Sequence, residues 1–246
     1  MTLFQKDMSI LRDQSQQYKK YTQSKTKISK EITNFLKQGK AISTYRQKQS
    51  RLLFGIDATA SRQPTWNAAC RTQGELFTAA HQISNIAIQL CFYRGFSEFT
   101  VSNWLTNETE LKYQIAKVTC QGGQTQILRL LKHAITEHNK LAVKALLFIG
   151  DACEEDPDQL SNLAGQCGLL QLPIFVFQEG TDKNATDSFR MLANLSGGVH
   201  TTFDASSAST LASLLGALSR YIVGGKNALE MSAQSGDKIF LEQLKN

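Results

Sequence analysis

Along most of the chain, short apolar runs alternate with stretches whose apolar residues recur every three or four positions, the pattern of a sheet covered by helices. Leu52-Leu53-Phe54-Gly55-Ile56 predicts a first strand. A helix is expected from about Pro64 to Gln82, capped by Ser61 or Thr65, with Pro64 tolerated in its first turn. Asn85 to Arg94 and Glu98 to Trp104, on either side of Gly95, predict a hairpin with Ile86, Ile88 and Leu90 on one face. A helix near Glu108 to Val118 leads into the loop Thr119-Cys120-Gln121-Gly122-Gly123-Gln124. In the next helix Ile127, Leu130, Leu131, Ala134 and Ile135 fall on one side. Ala145 to Ile149 and Ile174 to Phe177 are unbroken apolar runs, as buried parallel strands require. Gly197 to Phe203 supplies a last strand, and Leu211, Leu214, Leu215, Leu218 and Ile222 form the stripe of a closing helix. Beyond Gly224, Phe240, Leu241 and Leu244 suit a short packing helix.

The first fifty residues differ. They carry eleven basic and three acidic groups, a surplus of +8 in a chain whose net charge is +6, so the remaining 196 residues sum to −2. Ile28, Ile32, Phe35 and Leu36 make an apolar stripe there, with Tyr18 and Tyr21 as a second contact. The expected division is a basic amphipathic helical extension over 1–49, an α/β body over 50–225 and a helical tail over 226–246. The extension either packs on the body or on a second copy of itself, or offers a phosphate-binding or membrane-surface patch. Its charges are spread among Gln, Ser and Thr with no nucleic-acid motif between them, which favours packing on the body or on a second copy and disfavours nucleic acid or a membrane surface.

Composition narrows the setting. The longest apolar runs have strand length, far below the roughly 20 residues that cross a bilayer. Met1 to Asp7 lead into Gln, Lys and Ser rather than an apolar stretch, so a cytosolic location is expected and no membrane partner. Five cysteines without a CxxC pair disfavour a disulfide framework or zinc cluster.

The candidate chemistry lies at strand ends. Phe54-Gly55-Ile56-Asp57 and Phe148-Ile149-Gly150-Asp151 both place a carboxylate at the carboxyl end of an apolar strand, where open α/β sheets bind ligands. Asp57-Ala58-Thr59-Ala60-Ser61 puts oxygen-bearing side chains on alternate residues, which in an extended loop point the same way. Gly122-Gly123 precede Thr125, a hydroxyl at a helix start. Two carboxylates and three hydroxyls suit a hard octahedral cation such as Mg²⁺. Alternatively, Asp57, Asp151 and Thr125 are simply helix caps.

The order Asp57-x-Thr59-x-Ser61, Thr125, Asp151 resembles the metal-ion-dependent adhesion site of the von Willebrand factor A (VWA) domain family, of the cytosolic, bacterial type, over about residues 50 to 225. The resemblance implies a Rossmann-like, mostly parallel sheet with one antiparallel edge strand and helices on both faces. It also implies a Mg²⁺ or Mn²⁺ whose open position takes an Asp or Glu carboxylate from a partner protein. Thr59, Ser61 and Thr125 would coordinate directly or through water, while Asp57 and Asp151 would act mainly through water. Thr59 replaces the more frequent Ser, and Gln124 is inserted between the glycines and Thr125. Arg62, Trp66, Gln124, Glu154 and Glu155 are the expected partner-binding rim. Glu154, Glu155 and Asp156 also admit a plainer role as a solvated loop capping the next helix.

Familiar enzyme signatures are missing. Gly225-Lys226 lacks the first Gly and the Ser or Thr of a phosphate loop, and there is no GxGxxG or GxSxG. Thr59 stands where a phosphoaspartate phosphatase needs its second Asp. His133 and His138 are five apart, off the spacing for a shared metal, and His81 and His200 stand alone. The expected function is a non-enzymatic adaptor that recruits a partner, as cytosolic relatives do beside ATPases or chaperone-like proteins. The alternative is a Mg²⁺-dependent hydrolase or phosphoryl-handling enzyme in the same crevice, with Glu154 or Glu155 as base.

Overall fold

A computed structural model describes residues 49–63, 86–204, 208–232 and 234–244. The basic extension, apart from Gln49, and the helix expected from Pro64 to Gln82 therefore lie outside the described residues.

Six strands form one sheet: β1 (Ser50–Asp57), β2 (Ile86–Arg94), β3 (Glu98–Leu105), β4 (Ala145–Gly150), β5 (Ile174–Glu179) and β6 (Val199–Phe203). Their order is β3-β2-β1-β4-β5-β6, all parallel except the edge strand β3, which runs antiparallel to β2. The described helices are α1 (Glu108–Ala116), α2 (Ile127–Lys140), α3 (Pro157–Leu169), α4 (Lys183–Ser196), α5 (Ala208–Ser232) and α6 (Ser235–Gln243). The central strands carry no polar alternation because both faces are covered. Leu52, Phe54 and Ile56 of β1 join a core with α1, α5 and α6, whereas Leu53 joins a second core with α2, α3 and α4. Gly55 makes the second packing possible, since a Cβ there would sit 2.5 Å from Leu130 of α2.

The hairpin expected around Gly95 is present, and Gly95 takes a positive φ of 59° at its turn. Its register slips between Gln89 and Cys91. Ser102 repairs the break by accepting from Leu90 N at 3.0 Å through its hydroxyl.

The residues expected as a C-terminal tail are tied to the core. Gly225, at φ 62° and ψ −154°, breaks the helical geometry inside α5. After a short link α6 returns, and Phe240 stacks on Phe175 with centroids 5.2 Å apart. Asp237 is buried, paired with Arg220 at 2.9 Å and accepting from Gln234 N at 2.9 Å.

Candidate functional site

The strand order reverses at β1, with β2 on one side and β4 on the other, and such a switch point opens a crevice at the carboxyl ends of the strands. Ile56 pairs with Ile149, so Asp57 and Asp151 emerge side by side from this edge.

Asp57 has no exposed surface. Its Oδ1 accepts from Thr59 N at 2.8 Å and its Oδ2 from Tyr93 Oη at 3.0 Å. Thr59 is extended, as alternation demands, and its hydroxyl lies 3.1 Å from that of Ser61. A short 3-10 turn, Ala60–Arg62, closes the motif loop.

The loop before α2 is docked between this motif loop and the hairpin. Gln121 N donates to Ala58 O at 3.0 Å, and Gln124 N donates to Gly95 O at 3.2 Å. Gly123 is obligatory, because a Cβ would fall 1.9 Å from Gly95 O, whereas Gly122 has open space around it. The inserted Gln124 is thus absorbed by a backbone bond to the hairpin. Thr125 is buried, and its Oγ1 accepts from Glu154 N at 3.1 Å.

The plainer capping assignments for Thr125 and Asp151 fail, whereas the helix expected after Asp57 lies outside the described residues. The N-cap position of α2 is Gln126, without a side-chain bond, and Glu155 caps that helix from a distant loop, accepting from Ile127 N and from Leu128 N at 2.8 Å. Asp156, not Asp151, caps α3 by accepting from Asp158 N and Gln159 N, each at 2.9 Å. Asp151 Oδ1 is buried and accepts no hydrogen bond among the described residues.

The expected rim is only partly a rim. Gln124 and Glu154 are exposed, and Trp66 lies outside the described residues. Arg62 is in the interior at 1% exposure, because its guanidinium binds Glu179 and the main-chain oxygen of Asp57. Glu155 is half-buried, its carboxylate taken up by the α2 terminus. Tyr93 and Glu179 also shape the site, and no motif or spacing pointed to either.

No protein-family model and no curated protein sequence matches the chain. Solved structures do match. The von Willebrand factor type A structure from Catenulispora acidiphila superposes with a TM-score of 0.60 at 16% identity, over 72% of this chain and 43% of that one. The SpRpn10 VWA domain gives 0.56 at 13% identity, over 67% of this chain and 94% of that one. This chain has the VWA fold. It spans less than half the length of the Catenulispora acidiphila protein. Another match is the manganese-loaded Plasmodium vivax TRAP protein, at a TM-score of 0.52 and 15% identity, over 67% of this chain and 72% of that one.

On this VWA scaffold, no group of three or more His, Cys, Asp or Glu is placed to hold a metal among the described residues. A cation here would therefore rest on hydroxyls as well as on Asp57 and Asp151, the oxygen-only donor set that suits Mg²⁺ or Mn²⁺. Two observations fit such an ion. One is the orphaned, buried Oδ1 of Asp151. The other is Asp57, whose pKa is pushed up to about 6, chiefly by burial, with the Asp151 charge adding to the rise and the Thr59 hydrogen bonds and Arg62 opposing it. Two crowded carboxylates, one of them desolvated, are electrostatically short of positive charge. A neighbouring cavity of about 440 Å³ is lined in part by Glu154, Glu155 and Asp187, and none of its described lining residues is basic.

Proposed function

We propose that this chain is a metal-dependent protein-interaction module, an adaptor that captures a partner's Asp or Glu carboxylate at a divalent cation in the β1/β4 crevice. The observation that carries this reading is the buried Oδ1 of Asp151, unpartnered among the described residues, beside the buried carboxylate of Asp57. Thr59, Ser61 and Thr125 would hold Mg²⁺, or Mn²⁺, directly or through water, with Asp57 and Asp151 supplying charge mainly through water. The bound ion supplies a Lewis-acidic open position for an incoming oxygen ligand. The chain's own residues shape the rest. The Thr59 and Tyr93 donors fix the rotamer of Asp57, and Glu154 N orients the Thr125 hydroxyl. The manganese-loaded TRAP structure supports a divalent ion on this kind of scaffold.

The exposed Gln124 and Glu154 would form the contact rim, so the partner would carry positive charge near its metal-binding acid. An ATPase or chaperone-like partner, a cytosolic setting, and self-association through the basic residues 1–49 complete the proposal. The test is calorimetric titration of the chain with Mg²⁺ and Mn²⁺, followed by partner capture in Mg²⁺ and in chelator. One bound ion, lost in Asp57→Ala and Thr125→Ala together with partner capture, is the expected result. Metal binding and capture unchanged in both variants would overturn it.

A further inference from the structure

Arg62 and Glu179 are 117 residues apart in sequence and meet in the interior. Arg62 Nε and Nη2 donate to Glu179 Oε2 at 3.0 and 2.8 Å, and Nη1 donates to the main-chain oxygen of Asp57 at 2.7 Å. The Arg62 side chain has no exposed surface and that of Glu179 retains 8%. Asp57 ends β1 and Glu179 ends β5, with β4 between them. The guanidinium therefore ties the motif loop to β5 across the end of β4, the strand that delivers Asp151.

Burying an ion pair costs the hydration of both charges, and apolar side chains of similar volume often stabilise a fold as well or better. What apolar residues cannot do is hold a carbonyl oxygen at a set position with a planar, forked donor. Arg62 does this at one end of the motif loop, while its own N–H donates to Thr59 O at 3.2 Å and Thr59 N donates to Asp57 Oδ1. The loop is thus closed on itself at both ends, and the adjacent hydroxyls of Thr59 and Ser61 lie between the pinned points. The Arg62 charge also offsets one of the three carboxylates Asp57, Asp151 and Glu179.

We infer that Arg62 and Glu179 are positioning residues, a buried strut that holds the Asp57–Ser61 loop in its ligating shape before any cation arrives. This inference rests on the metal-dependent reading above. Without the strut the cation itself has to order the loop, and that ordering is subtracted from its affinity.

The experiment is Mn²⁺ binding to the full chain, read by the paramagnetic resonance of free Mn²⁺, with thermal unfolding in chelator measured alongside. The variants are Arg62→Met, Glu179→Gln and the double variant Arg62→Met/Glu179→Met. Losing a partner that orients metal-binding groups typically weakens affinity by roughly 10- to 100-fold, and each variant is expected to fall in that range. The double variant separates positioning from stability: with both charges gone its Tm returns toward that of the wild type, but its Mn²⁺ affinity stays low. Wild-type affinity in the double variant overturns the inference and leaves the metal reading standing. No Mn²⁺ binding to the wild type overturns both. If the double variant does not fold, Glu179→Gln decides, and an unchanged Kd in that variant overturns the inference.

Discussion

Tyr93 and Asp57 are paired twice, as register partners in the β1–β2 ladder and through a 3.0 Å hydrogen bond from Tyr93 Oη to Asp57 Oδ2. Both side chains are fully buried. The phenol therefore provides, inside the core, one of the donors that make a desolvated carboxylate tolerable.

Removing that donor alone leaves a carboxylate oxygen short of a partner. Tyr93→Phe is expected to lower stability by about 1–3 kcal/mol in chelator, the cost of one unsatisfied buried polar group. Urea denaturation measures it, and a change below about 0.5 kcal/mol would mean that Asp57 is satisfied by other groups.

The pH dependence contains opposing contributions, of which Asp57 and His200 carry large shifts. Burial raises Asp57 from 3.8 to about 6, so between these values the native state keeps a proton that the unfolded chain has released. Stability from this group is full below pH 3.8 and falls as pH rises through 6, by about 3 kcal/mol in the absence of metal. Burial, with a smaller push from Arg190, lowers His200 from 6.5 to about 4, so stability from this group is lost as pH falls below 6.5 toward 4. The imidazole is held neutral against Gln178 Oε1 at 2.9 Å. In Asp57→Asn the opposing Asp57 contribution is gone, while the His200 contribution and the same-signed one from His133, which burial also lowers, remain, so stability in chelator should rise between pH 4 and 6.5. A variant profile identical to that of the wild type would remove Asp57 from this account.

Metal binding should strengthen as pH rises through 6, because Asp57 must shed its proton before it can help neutralise a cation. Mn²⁺ titrations at a series of pH values check this. A flat affinity profile across that range would mean that Asp57 is already ionised.

Two adjacent glycines provide a contrast. Gly123→Ala forces a Cβ to within 1.9 Å of Gly95 O and must push the Thr125 loop off the hairpin, whereas Gly122→Ala meets nothing within 4 Å. The first is expected to cost about 3 kcal/mol or more and to weaken Mn²⁺ binding; the second should stay within about 0.5 kcal/mol. Thermal unfolding and Mn²⁺ titration of both variants test the contrast, and equal behaviour of the two would contradict the docked loop.

The C-terminal helix is expected to be indispensable to the core. Phe240 is fully buried against Phe175 and Phe177, so Phe240→Ala should cost about 3–5 kcal/mol. Denaturant unfolding measures it, and a loss under about 1 kcal/mol would make α6 a loosely attached appendage.

Much of the fold was legible in the chain because local chemistry and global architecture agree. The apolar runs Ala145–Ile149 and Ile174–Phe177 are strands because nothing polar interrupts them, and the stripe from Ile127 to Ala134 is a helix because its period allows one buried face. That Asp57 and Asp151 stand at strand ends and that Thr59 lies in extended chain was legible for the same reason, because these are local features. The partners of those residues were not local. Arg62 sits beside the motif and its charge suggested an exposed rim, but only the approach of β5 supplies Glu179 and takes the guanidinium into the interior. Glu155 follows β4 and caps a helix that precedes it in the chain, and Tyr93 reaches Asp57 only because β2 pairs with β1. The unpartnered Oδ1 of Asp151 is likewise a property of what surrounds it. Periodicity encodes which face of an element is apolar, so the sequence by itself determined the layers and the sheet edge at which Asp57 and Asp151 emerge. Hydrogen-bond satisfaction and burial of charge depend on residues brought together across long stretches of chain, and these the tertiary structure alone decided.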